Sequence, residues 1–125
     1  MPIRVVLIED NDVFREALEV LLAMGGEIEV VGSERDGIRA ADLCADLAPD
    51  VVLVDYRLPV LDGVQVTRAV HERCPGAAIV ALTAAAGEPE VQAMLDAGAV
   101  AYVRKDEPLE KIMAAVHTAA GVGTG

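Results

Sequence analysis

Apolar residues fall along this chain in two alternating kinds of run. Val51-Val52-Leu53-Val54 and Ala78-Ile79-Val80-Ala81-Leu82 are unbroken, and Ile3-Arg4-Val5-Val6-Leu7-Ile8 is nearly so. Blocks this short, with no polar alternation, read as strands buried on both faces, as in a parallel sheet. Ile28-Glu29-Val30-Val31 is more broken and reads as an edge strand, and Val100-Ala101-Tyr102-Val103 as a fifth strand. Between these blocks the apolar positions recur at helical spacing: Phe14, Leu18, Leu21 and Leu22; Ile38, Ala41, Leu43 and Leu47; Leu109, Ile112, Met113 and Val116.

The punctuation agrees. Asn11 or Asp12 can cap the first helix and Gly25-Gly26 ends it; Gly32-Ser33 turns the chain toward a second helix from Gly37 to about Leu47, which Pro49 closes. Asp62-Gly63 is a turn before a helix from Val64 to Arg73, stopped by Pro75-Gly76. Pro89 opens a helix to Ala97, and Pro108 fits the first turn of the last one. Residues 1–120 form one domain by this reading, and Gly121-Val122-Gly123-Thr124-Gly125 is a flexible tail or the start of a linker. Five strands alternating with five helices predict an α/β fold, a doubly wound parallel sheet with right-handed crossovers.

Composition narrows the chemistry. Aromatic residues make up 2% of a chain that is 54% hydrophobic, so the core must be built from Val, Leu, Ile and Ala. The net charge of −11 disfavours nucleic acid and anionic membrane as direct partners and favours a cation. Cys44 and Cys74 form no Cys-x-x-Cys pair and read as small buried hydrophobes. Neither a charged-then-apolar leader nor an apolar run of about 18 residues is present in the sequence, and a cytoplasmic location is expected.

The residues that end the strands hold the candidate chemistry. Strand one delivers Glu9 and Asp10, strand three Asp55, strand four Thr83 and strand five Lys105. In a parallel sheet these ends share one rim, where open α/β folds bind ligands. Three carboxylates gathered there repel one another and need a cation, and an all-oxygen donor set suits Mg²⁺, with Mn²⁺ as a substitute. A metal, a lysine and a hydroxyl around one carboxylate match the demands of phosphoryl transfer, with Asp55 as the nucleophile.

Glu9-Asp10, Asp55-x-x-Leu58-Pro59, Asp62-Gly63, Thr83-Ala84 and Tyr102-x-x-Lys105 together resemble the receiver domain of two-component response regulators. The resemblance runs from about Ile3 to Ala120 and implies a flavodoxin-like (βα)5 sheet in the order 2-1-3-4-5. It implies that Asp55 accepts a phosphoryl group from a histidine kinase, and that Glu9, Asp10, Asp55 and the main-chain carbonyl of Arg57 hold the metal. Lys105 would pair with the phosphoryl group, Thr83 and Tyr102 would form the switch pair, and Ala84 and Ala85 would lie in the phosphoryl loop. The chain departs from the commoner family pattern at Glu9, which stands where an aspartate is more frequent, and at Asp106, which follows the lysine where many relatives have proline. Ala85 offers no polar group to orient water, so slow self-dephosphorylation is expected.

Other readings exist for the same residues. An aspartate-nucleophile phosphatase would need a second acid at position 57, where the chain has Arg57, and a flavodoxin would need a Ser/Thr/Gly-rich phosphate loop after strand one. A stand-alone receiver, or a receiver-like scaffold that is never phosphorylated, remains an alternative. The opening residues, the second strand and Lys105-Asp106 are similar to NarL/FixJ-type transcription regulators, so the expected output is a helix-turn-helix domain beyond these residues. The chain itself is expected to bind no DNA and to act as a switch rather than an enzyme. Val13 and Val20 on the first helix, with Ala114 and Ala115 on the last, suggest a homodimer through those helices. His71 and His117 read as solvated.

Overall fold

A computed structural model describes residues 1–84 and 87–124. The elements run β1 (Ile3–Ile8), α1 (Asp12–Ala23), β2 (Ile28–Glu34), α2 (Ala40–Leu47), β3 (Val51–Asp55), α3 (Gly63–Arg73), β4 (Ala78–Thr83), α4 (Glu88–Ala97), β5 (Ala101–Arg104) and α5 (Leu109–Thr124). The five strands are all parallel, in the order β2-β1-β3-β4-β5.

The unbroken apolar strands are explained by two cores, one on each face of the sheet. Val5, Leu7, Val51, Leu53, Val80 and Leu82 pack against Leu18 and Leu22 of α1 and Ile112 and Val116 of α5. Their neighbours Val6, Ile8, Val52, Val54, Ile79 and Ala81 pack against Ala40 and Cys44 of α2, Val66 and Val70 of α3 and Met94 of α4. Successive side chains point to opposite faces, so a strand covered on both sides can spare no polar position. Truncating such a residue, Leu53→Ala for example, costs about 2–5 kcal/mol.

Helix starts follow their caps. The Asn11 side chain accepts from the Phe14 N–H, and Asp62 and Gln65 form a reciprocal capping box at α3. Two glycines, one that reads as a turn and one as a helix start, are packing residues instead. Strand β2 continues through Gly32-Ser33 to Glu34, with a register shift against β1 between Val5 and Val6. A Cβ on Gly32 would lie 2.8 Å from Leu47 Cδ1, so the bare strand gives room to the leucine side chains of α2. Helix α2 begins at Ala40 rather than Gly37, and Gly37 itself packs against Val66 of α3, whose Cγ2 lies 2.0 Å from where a Cβ would stand. At the other end, α5 carries helical backbone through Thr124, past the boundary expected at Ala120. Cys44 is buried, whereas Cys74 is only partly so and donates to the Cys44 carbonyl at 3.6 Å.

Among the described residues no helix is long and apolar enough to cross a membrane, and no peptide bond is cis.

Candidate functional site

Strand register sets the rim. Ile8 pairs with Val54, Asp55 with Leu82 and Thr83 with Arg104, so the chain leaves β1, β3, β4 and β5 at one level. Backbone bonds carry the alignment into the loops: Tyr56 N–H donates to the Leu82 carbonyl at 2.9 Å and Lys105 N–H to the Thr83 carbonyl at 2.8 Å. Helix α3 is drawn against β3 at Gly63, whose N–H donates to the Tyr56 carbonyl at 2.9 Å. Between them the β3–α3 loop holds Val60 at φ 69°, with Leu61 N–H on the Pro59 carbonyl at 2.8 Å, a strained conformation for a β-branched residue.

Glu9, Asp10 and Asp55 meet there, with one carboxylate oxygen from each lying within 4.8 Å of the others. Glu9 is fully buried, Asp55 is 3% exposed, and Asp10 faces solvent. The Lys105 ammonium bridges the two buried acids: Nζ lies 2.8 Å from Asp55 Oδ2 and pairs with Glu9 Oε1. The other oxygens accept main-chain donors, Glu9 Oε2 from Asn11 N–H at 3.0 Å and Asp55 Oδ1 from Arg57 N–H at 3.1 Å. Nζ also sits 5.0 Å from the centre of the Phe14 ring.

One ammonium does not neutralise three acids, and the most buried one bears the imbalance. Burial, with the neighbouring Asp55 carboxylate, pushes Glu9 up to about 7, against the opposing hydrogen bonds from Lys105 and Asn11. Burial works against the Lys105 charge, but its bonds to Asp55 and Glu9 outweigh it and hold the lysine above its ordinary value. Clustered hard oxygen donors with unbalanced negative charge fit a small divalent cation.

Thr83 is 2% exposed, and its hydroxyl has no hydrogen-bond partner among the described residues. It lines a small pocket with Tyr56, Arg57, Ala84 and Glu90. Tyr102 is 48% exposed and thus lies on the surface. Arg57 and Ala84 are exposed, and Ala85 lies outside the described residues.

Sequence reasoning thus gathers Glu9, Asp10, Asp55 and Lys105 correctly into one cluster, and overlooks three neighbours. It assigns Phe14 to the core stripe alone and Gly63 to a turn. It gives Arg15 no role, although a cation three residues before Leu18 and seven before Leu22 falls on the buried stripe of α1 and is itself a signal.

The response regulator receiver domain family model matches residues 5–117. The chain is 35% identical over 121 residues to the transcriptional regulatory protein DegU of Brevibacillus brevis, covering 97% of this chain and 51% of DegU. It is 37% identical over 130 residues to protein-glutamate methylesterase/protein-glutamine glutaminase 5 of Myxococcus xanthus, covering 96% of this chain and 37% of that protein. The chain thus spans about half or less of the length of these curated relatives. Among solved structures, the signal receiver domain of the response regulator NarL from Mycobacterium tuberculosis superposes with a TM-score of 0.89 at 35% identity, over 96% of this chain and 97% of that one. The receiver domain of sensor histidine kinase PA1611 from Pseudomonas aeruginosa, solved with a magnesium ion coordinated in its active site cleft, gives 0.85 at 31% identity, over 97% of this chain and 99% of that one. With that agreement across nearly the whole length and a rim of acids and lysine at the strand ends, the chain belongs to the receiver domain family of two-component response regulators.

Proposed function

We propose that Asp55 is the phosphoacceptor of a signalling switch charged by a sensor histidine kinase. The observation that carries this reading is the Lys105 ammonium bridging two buried carboxylates beside a third, exposed one. An Asp55 oxygen attacks the phosphorus of a phosphohistidine, the P–N bond breaks as the acyl P–O bond forms, and the imidazole leaves with a proton. Lys105, already on Asp55 Oδ2, is within reach of the phosphoryl oxygens once the carboxylate is esterified. Glu9, Asp10, Asp55 and the Arg57 carbonyl are the ligands we assign to Mg²⁺, with Mn²⁺ as a substitute. Bound there, the ion supplies charge neutralisation for the phosphoryl oxygens.

The unpartnered Thr83 hydroxyl supports a switch role. It gains an acceptor when the phosphoryl group arrives, and Tyr102 turns inward from its exposed position. The output in this reading is control of a further domain, and the likeness to DegU together with that to the NarL receiver supports transcription as that output, with the methylesterase likeness pointing to a catalytic one as the alternative.

The test is site mapping. The protein is incubated with acetyl phosphate and Mg²⁺, reduced with borohydride and digested. Homoserine at position 55 supports the reading; homoserine at another aspartate overturns Asp55 as the acceptor, and none in folded protein overturns the reading in favour of an interaction module that is never phosphorylated.

A second proposal concerns pairing. Val13, Val20, Leu21 and Met24 leave an apolar stripe exposed along α1, beside a groove formed with Leu109 and Ile112 of α5, which favours a homodimer through these helices. Ala114 is exposed as expected, but Ala115 packs partly into the core and is no contact. Light scattering that shows only monomer at high concentration, with and without beryllofluoride, excludes it.

A further inference from the structure

We propose that Arg15 is a positioning residue that fixes the orientation of the acid pair Glu9 and Asp10. It is one of only five buried polar or charged residues among those described, with Glu9, Asp55, Thr67 and Thr83. It is also the buried cation for which the phosphoryl chemistry has no direct use.

Its guanidinium pairs with Glu19 of α1 at 4.0 Å through Nε and turns Nη1 to the start of that helix and the β1–α1 connection. Arg15 Nη1 donates to the Glu9 carbonyl at 3.0 Å, in a buried bond, and pairs with Asp12 Oδ1 at 2.8 Å. The same Asp12 Oδ1 also lies 3.1 Å from Arg35 Nε, which ties in the connection that follows β2. The Glu9 N–H donates to the Glu34 carbonyl at 3.0 Å. The backbone of Glu9 is therefore anchored at both its N–H and its carbonyl, one residue past the end of β1. Fixing that carbonyl fixes the peptide plane that leads into Asp10, and with it the direction from which Asp10 faces Asp55. Groups that orient metal ligands from behind typically account for about 10–100-fold in metal affinity.

Charge alone predicts the opposite. A guanidinium this close to a cation site repels the cation, so removing it without disturbing the acids would tighten binding. The sign of the change therefore separates positioning from mere proximity.

This inference rests on the reading of Glu9, Asp10 and Asp55 as a Mg²⁺ site, and the experiment separates the two. MgCl₂ is titrated into ¹⁵N-labelled wild type, Arg15→Gln and Arg15→Lys, and the dissociation constants are read from amide shifts of Asp10, Asp55 and Arg57. Wild type that binds no Mg²⁺ overturns the metal reading, and this inference with it. Wild type that binds, with affinity about 10-fold weaker in Arg15→Gln and at least about 3-fold weaker in Arg15→Lys, supports the assignment. Affinity that is unchanged or tighter in folded Arg15→Gln overturns the assignment alone. If Arg15→Gln does not fold, Arg15→Lys, which keeps the charge and one donor, decides: unchanged affinity there overturns the assignment.

Discussion

Without metal, Glu9 should make this protein less stable as the solution becomes less acidic, a dependence opposite in sign to that of a salt-bridged surface carboxylate. Its carboxyl titrates at about 7 in the folded chain against an ordinary 4.5. Between those values the folded state binds more protons than the unfolded state, so the stabilisation is full below 4.5 and is lost as pH rises through 7. Each tenfold change in proton affinity is worth about 1.4 kcal/mol, which makes the full effect about 3 kcal/mol. The sequence pI near 4.4 rules out work at the acid end of that window. From pH 5.5 to 8 the same proton uptake still gives about 2 kcal/mol. Lys105 does not interfere, because its raised pKa keeps its contribution fully present below 10.5 and loses it only as pH rises through the folded value. The assay is urea unfolding of wild type and Glu9→Gln in chelator across that range. The difference in unfolding free energy, variant minus wild type, should rise by about 2 kcal/mol toward pH 8, and saturating Mg²⁺ should flatten it. A difference that stays constant in chelator refutes the account of Glu9 as a buried, under-compensated acid.

Three further substitutions probe single contacts. Thr83→Val removes a buried hydroxyl that has no partner among the described residues, and should raise unfolding free energy by about 1 kcal/mol while weakening the response to beryllofluoride; a loss of stability in urea contradicts this. Gly63→Ala would place a Cβ 2.4 Å from the Asp55 carbonyl oxygen and 2.7 Å from Tyr56 Cα. Backbone cannot yield as a side chain can, so a cost of about 2–3 kcal/mol and slower modification by acetyl phosphate are expected, and wild-type values for both would refute the close packing. Ala48→Gly relieves a left-handed residue at φ 48° that caps α2, and should stabilise by about 0.5–1 kcal/mol in thermal or urea unfolding; destabilisation would contradict it.

Periodicity carries most of the fold, because five strands and five helices each leave a run that their burial requires. It fails where a glycine can mean two things. Gly32 looks like a turn and Gly37 like a helix start in a linear reading, but Leu47 and Val66 occupy the space their side chains would need, and only tertiary packing reveals that. The acid cluster is legible because parallel topology sends every strand end to one rim. Local periodicity does not reveal which oxygen each donor takes, nor that Arg15 turns back to the Glu9 carbonyl. The exposure of Tyr102 is likewise a matter of tertiary placement: β5 is an edge strand, and the ring lies on the surface.

The central claim, that Asp55 is esterified in a metal-dependent reaction at this rim, is tested most directly by intact mass. Wild type, Asp55→Asn and chelator-treated wild type are each incubated with acetyl phosphate, the first two with Mg²⁺. The account predicts the gain of one phosphoryl group in wild type with Mg²⁺ and in neither control. An equal gain in Asp55→Asn, or no gain in folded wild type with metal present, contradicts it.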